Sequence, residues 1–133
     1  MPTDITWKDY YSVNNPQLDA EHKQIIGLIN DFYAAMRQDR ENHAAREVLE
    51  RLIKYTLTHF EHEEEIQERA GYPDVEAHKA AHARLRRQTT DLRDNLSLVT
   101  GSDVLYFLKQ WWLNHIQGED KKYSPYLSVP AAK

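Results

Sequence analysis

His59 and Glu63 stand four residues apart, and so do His78 and His82. On a helix, that spacing lets two side chains of one face reach a common ion. Chance supplies one such pair readily, but two on apolar faces less so. His22 and His115 add two further imidazoles, and the carboxylates of Glu119 and Asp120 follow His115. The chain has no cysteine, which excludes thiolate zinc sites, iron–sulfur clusters, disulfide staples and cysteine nucleophiles together. Any metal must therefore be held by nitrogen and oxygen.

Five histidines and two carboxylates are too many donors for one tetrahedral zinc. The zinc-protease pattern also fails, because His62-Glu63 is followed by Glu64-Glu65-Ile66 and not by a second histidine. Two octahedral ions fit better. If they share both carboxylates and one oxygen atom, five imidazoles leave one coordination position open for a small ligand. Donors of this kind suit iron among the redox-active metals, while leaving manganese, cobalt and zinc open. Carboxylate-rich di-iron enzymes of helical bundles use Glu-x-x-His elements, and this chain contains none. A shell of neutral imidazoles supplies less negative charge than a carboxylate shell and favours return to the ferrous state, so the donor set leans toward reversible binding over turnover.

Such donors must project from helices. Only four glycines punctuate the chain, and Gly71, Gly101 and Gly118 fall between periodic segments, where they read as helix terminators. A first helix, about 16–38, follows the cap signal Asn14-Asn15-Pro16 and carries Leu18, His22, Ile25, Ile29, Phe32 and Met36 at helical spacing. A second, about 42–69, carries Leu49, Leu52, Ile53, Thr56, His59, Phe60 and Glu63. A third, about 74–96, places His78, His82, Leu85, Thr89, Leu92 and Leu96 on one face. The fourth, about 102–117, carries Val104, Leu108, Trp111, Trp112 and His115. With an N-terminal arm over 1–15 and a short tail over 118–133, the pattern predicts an all-α, up-down-up-down antiparallel four-helix bundle.

Helical phase then sorts the run THFEHEEEIQ over residues 58–67. At about 100° per residue, Glu63 points inward with His59 on the shoulder of the stripe, and His62 lies roughly 100° from its centre. Glu61 and Glu65 fall on the far side and Glu64 at the flank, so these four belong mainly to solvent. His43 sits in a polar helix start and reads as superficial. A lone histidine on an apolar face is ordinarily a core residue with a satisfied hydrogen bond. Five of them with a carboxylate would cost about 1–3 kcal/mol per unsatisfied group, against a total stability of roughly 5–15 kcal/mol. Metal coordination removes that conflict. The phase of Asp120 is less clear, since an ideal helix swings it about 140° away from His115. Gly118 at a helix end or bulge could turn it back, and Glu119 remains the alternative.

At 133 residues and 41% hydrophobic content, the chain fits a single domain over 1–133. A net charge of −4, from 21 acidic and 17 basic residues, argues against nucleic acid or anionic lipid as partners. No apolar run approaches the roughly 20 residues of a membrane span. The start, MPTDITWKDYYSV, lacks the regions of a signal peptide, so the expectation is a cytoplasmic protein with no membrane insertion.

Several segments together resemble the single-domain bacterial hemerythrins over nearly the whole chain. They are ITWKDYYSV, Asp19-Ala-Glu-His22, His59-Phe60-x-x-Glu63-Glu64, Tyr72-Pro73, His78-x-x-x-His82 and His115-Ile116-x-x-x-Asp120-x-x-Tyr123. The resemblance implies two iron ions per chain. His78, His82 and His115 would hold one, His22 and His59 the other, with Glu63, Asp120 and an oxo or hydroxo group as bridges. It thereby selects Asp120 over Glu119. It further implies reversible dioxygen binding for transport, storage or delivery. No substrate pocket with an acid, base or nucleophile is visible in the residues, so no catalytic residues are expected, and the chain is expected to be a monomer. The matching oxygen-pocket positions are Ile25, Phe60, Trp111 and Ile116, which could equally be ordinary core. An oxygen-consuming enzyme would be a fitting recipient. Rival readings are oxygen sensing through a partner, a diiron peroxidase or nitric oxide reductase, and iron storage.

Overall fold

The computed structural model describes residues 5–37 and 41–127, with the side chains of Glu41, Asn42, His43, Trp112, Leu113 and Glu119 outside that description. The readings of His43 as superficial, Trp112 as inward and Glu119 as the alternative carboxylate therefore lie outside the described side chains. Helix α1 spans Pro16–Arg37. Its start follows from the cap: the Leu18 amide donates to Asn15 Oδ1 at 2.9 Å, and Pro16 occupies the first position, where no amide donor is needed. Asn14 takes the left-handed conformation at φ 67 and turns the arm into the helix. Asp19 pins that arm, accepting from the Ser12 hydroxyl at 2.6 Å and the Val13 amide at 2.9 Å.

Helix α2 spans Glu41–Ala70 and stops at Gly71, whose φ of 76 only glycine adopts without strain. The Gly71 amide bonds to the Glu68 carbonyl and the Tyr72 amide to the Gln67 carbonyl, the paired bonds of a Schellman termination. Helix α3 spans Val75–Asp94, two residues short of the expected end, and a 3₁₀ turn follows over Leu96–Leu98. Helix α4 spans Gly101–Gln110, so Gly101 opens the helix and does not precede it. Its cap is Thr100, whose hydroxyl accepts from the Asp103 amide at 3.1 Å while the Asp103 carboxylate accepts from the Thr100 amide at 2.9 Å.

The fourth helix does not end near residue 117. It widens into a π-helix over Trp111–Glu119, tightens into a 3₁₀ turn over Asp120–Tyr123, and closes with the single turn α5, Ser124–Leu127. Gly118, read as a terminator, lies inside the π segment. Helix α1 packs along α2, α2 along α3, and α4 against both α1 and α2, which closes an up-down-up-down four-helix bundle. No described helix is long and apolar enough to cross a membrane.

The core is divided. One apolar cluster gathers Ile25, Ile29, Phe32, Leu49, Leu52, Phe60, Leu108, Trp111 and Ile116. A smaller one gathers Val13, Leu18, Tyr72, Tyr123 and Leu127. On α1, His22 falls between Leu18 of the small cluster and Ile25 of the large one, so a polar layer separates two apolar ones. The cap of α1 lies beyond Leu18, on the far side of the small cluster from His22. Asn15→Ala is expected to cost about 1 kcal/mol, read as a lower melting temperature with unchanged far-ultraviolet circular dichroism.

Candidate metal centre

Apart from tyrosine and tryptophan, ten polar or charged side chains are buried among the described residues, and seven of them converge in the polar layer. His22 comes from α1, His59 and Glu63 from α2, His78 and His82 from α3, and His115 and Asp120 from the π segment and the turn after it. Ligand atoms of Glu63, His78, His82, His115 and Asp120 lie within 4.8 Å of one another, and so do those of His22, His59, Glu63 and Asp120. The two carboxylates belong to both groups.

Their oxygens divide between the groups. Glu63 Oε2 faces His22 Nε2 at 3.5 Å and His59 Nε2 at 3.8 Å, while Oε1 faces His78 at 3.4 Å and His82 at 2.8 Å. Asp120 Oδ2 lies 3.2 Å from His22 Nε2, and Oδ1 lies 2.9 Å from His78 and 3.3 Å from His115. Despite this proximity, the inward Nε2 atoms of all five histidines, with Glu63 Oε1 and both Asp120 oxygens, are buried without well-directed hydrogen bonds. Native cores rarely leave so many polar atoms unsatisfied in one place. Nitrogen and carboxylate oxygen donors that converge with no hydrogen bond directed between them are what a site for cations requires. Donors that converge as two groups with shared carboxylates suit a pair of metal ions.

The π-helix explains Asp120. Its amide bonds to the His115 carbonyl, five residues back. A turn closed by that bond takes up an extra residue, so residues five apart return to one face. The carboxylate, which ideal α-phase swings away, thus comes to 3.3 Å from His115 Nε2.

The outer nitrogens are held by residues that helical phase did not single out. Glu21 Oε1 accepts from His59 Nδ1 at 2.7 Å and Glu64 Oε2 from His82 Nδ1 at 2.7 Å. Each bond fixes the tautomer that leaves Nε2 bare toward the centre. Glu64 is therefore not a solvent residue at the flank. His62, also assigned to solvent, donates through Nδ1 to Glu21 Oε2 at 2.7 Å and is 36% exposed. Glu61 and Glu65 are exposed, as their phase requires. Tyr123 donates its hydroxyl to Glu63 Oε2 at 2.5 Å. Glu21, Glu64 and Tyr123 occur in the family-like segments, but their partners depend on helix register, which phase on one helix does not reveal. Gln67, one turn beyond Glu63 on the same face, is buried with both amide atoms unpaired among the described residues. Nothing in the sequence reading anticipated it.

The electrostatics of the metal-free site follow from this packing. Burial alone would push His22 and His78 down, but Asp120 and Glu63 outweigh it and raise them to about 9 and about 10. Burial also opposes charge on Glu63, yet His59 and its neighbours hold it well below the usual carboxylate range. Asp120 is likewise lowered against burial and the repulsion of Glu63, by the histidines around it. His115 is dominated by burial and falls to about 4. Burial, reinforced by Glu63 and Asp120, raises the Tyr123 phenol well above its usual value and keeps it a donor.

A four-helix bundle with a paired histidine–carboxylate centre defines a class of non-haem metal-binding proteins. Residues 14–127 match the family model of the hemerythrin HHE cation-binding domain. The chain is 32% identical to a bacteriohemerythrin of Methylococcus capsulatus over 129 residues, covering 94% of this chain and 98% of the relative. It is 34% identical over 121 residues to one of Pseudomonas aeruginosa, covering 90% and 78%. A crystal structure of wild-type hemerythrin superposes with a TM-score of 0.79 at 30% identity, covering 94% of this chain and 98% of that one. The chain belongs to the hemerythrin family.

The raised and lowered histidines set opposing slopes in the metal-free protein. His22 and His78, above their ordinary 6.5 when folded, contribute stability that is full below pH 6.5 and lost as pH rises through about 9 and 10. His115, depressed from 6.5 to about 4, costs stability as pH falls through that interval. Melting of metal-free protein is expected to peak near pH 6.5, with His78→Gln flattening the alkaline fall. A melting temperature that climbs from neutral pH into the alkaline range contradicts this electrostatic assignment.

Proposed function

We propose that the chain holds two iron ions in this cluster and binds dioxygen reversibly, for transport, storage or delivery. In this reading His78, His82 and His115 hold one iron and His22 and His59 the other. Glu63 and Asp120, which belong to both donor groups, would serve both irons. The observation that carries it is the division of carboxylate oxygens: each of Glu63 and Asp120 offers one oxygen to each histidine group. When bound, the iron pair supplies two reducing electrons and an open coordination position.

The chain's own residues orient that pair and keep it dry. Ile25, Phe60, Trp111 and Ile116 are at most 2% exposed and belong to the large apolar cluster. Phe60 stacks on His82 with ring centroids 3.8 Å apart and lies 5.8 Å from both Trp111 and His59. The Trp111 indole donates to Thr89 Oγ1 at 3.3 Å, which fixes the ring against Phe60 and His115. Apolar walls of this kind exclude water and slow irreversible oxidation. The bonds from Tyr123 to Glu63, from His59 to Glu21 and from His82 to Glu64 hold the donors in place. Neutral imidazoles outnumber carboxylates among the proposed ligands, which favours release over turnover. The reading treats the chain as a binding protein and not as an enzyme, acting as a cytoplasmic monomer that hands oxygen to a consuming enzyme.

Two experiments test it. Reduced, iron-loaded protein should change its visible spectrum on admission of oxygen and recover the starting spectrum under vacuum; steady consumption of oxygen or peroxide would instead mark an enzyme. His59→Ala and Glu63→Ala should reduce bound iron below two per chain, whereas Glu61→Ala and Glu65→Ala should leave it unchanged. Equal iron loss in all four variants would sink the ligand assignment.

A further inference from the structure

Among the described residues, two of the proposed ligand histidines are backed by a carboxylate, and the two arrangements differ. On the three-histidine side, Glu64 Oε2 receives His82 Nδ1 at 2.7 Å. On the two-histidine side, the Glu21 carboxylate is divided: Oε1 takes His59 at 2.7 Å, while Oε2 takes His62 at 2.7 Å and the Gln17 amide at 3.2 Å. His59 and His62 lie three residues apart on α2, and Glu21 reaches both from α1. The Tyr55 hydroxyl donates to the Glu21 carbonyl at 3.3 Å, and the Tyr55 ring lies parallel to the His59 ring at 6.2 Å. Glu21 is thus fixed at side chain and backbone, with its side chain only 15% exposed.

A carboxylate has only acceptor oxygens, so both imidazoles donate through Nδ1. For His59 this leaves Nε2 bare toward the centre, where it is buried and unpaired. A carboxylate behind a ligand imidazole pushes electron density onto the ligating nitrogen and favours the more oxidised metal. Each further donor on that carboxylate withdraws part of the charge. Three donors, His59, His62 and Gln17, share the Glu21 carboxylate.

We propose that Glu21 and His62 are positioning residues that act through His59. Glu21 fixes its tautomer and lends it negative charge, and His62 draws part of that charge away. His62 is then a damper on oxidation of the two-histidine side, placed at the surface and outside the ligand set. This rests on the diiron reading above, and it makes the two residues pull in opposite directions. Removing the charge of Glu21 should make the site harder to oxidise, and removing the His62 donor should make it easier.

The test uses the full chain and two readouts. In metal-free protein, nitrogen-15 NMR of the histidine rings should find His59 protonated at Nδ1 in the wild type and in Glu21→Gln, whose amide oxygen still accepts, but no longer held in that tautomer in Glu21→Ala. In iron-loaded protein, metal assay should find two irons per chain in Glu21→Gln and His62→Phe. The reduction potential should rise in Glu21→Gln, with slower air oxidation, and should fall in His62→Phe, with faster air oxidation. His62→Gln, which restores a donor, should return the potential toward the wild type. Shifts of the same sign in Glu21→Gln and His62→Phe, or no shift with two irons retained, overturn the proposal and leave the diiron reading intact. A wild type that takes up no iron pair overturns the diiron reading and, with it, the redox role. If Glu21→Gln does not fold, the His62→Phe and His62→Gln pair decides by loss and recovery of the wild-type potential. An unchanged His59 tautomer in Glu21→Ala overturns the positioning role.

Discussion

The Glu63 carboxylate has no exposed surface, yet it lies where α1, α2, α3 and the C-terminal turn meet. Taking a carboxylate out of water costs several kcal/mol unless charge and hydrogen bonds replace the solvent. The bundle is arranged to replace it. His22 and His59 face one oxygen, His78 and His82 the other, and Tyr123 donates to the first at 2.5 Å. That arrangement divides the apolar core into two clusters, which hold the helices in the register that the polar layer requires. In the metal-free protein the same crowding places protons on His22 and His78 at neutral pH and keeps His115 neutral. Cations in place of those protons would give the bare nitrogens and oxygens the partners that they lack.

Local backbone geometry serves the same end. The π-helix over Trp111–Glu119 gives up regular α bonding at the point where His115 and Asp120 must share a face. Its distortion is confined between α4, which starts from a full capping box at Thr100, and the closing turns through Leu127. The buried Tyr123 hydroxyl then returns the chain to Glu63, so the end of the fourth helix is tied to the C-terminal part of the second.

Much of this was legible in the residues themselves. The periodicity of Leu18, His22, Ile25, Ile29 and Phe32 marks a buried face, and the same rule separates His59 and Glu63 from Glu61 and Glu65. Phase on an ideal helix could not place Asp120, because the answer lay in a departure from that helix, and the resemblance to hemerythrins supplied it. Glu21 and Glu64 were unreadable for a different reason. Each lies off the centre of its own apolar stripe and gains its role from a histidine on the neighbouring helix, so its position depends on interhelical register. His62 points away from the core as its phase requires, yet Glu21 meets it there. Family membership rests on sequence and fold together, while the proposal of a metal pair rests on the two donor groups that share Glu63 and Asp120.

Anomalous X-ray scattering at the iron edge, from crystals of the iron-loaded protein, tests that geometry most directly. The account predicts two peaks per chain, one beside His22 and His59 and one beside His78, His82 and His115, both in bonding contact with Glu63 and Asp120. A single peak, or two peaks that do not share these carboxylates, would contradict it.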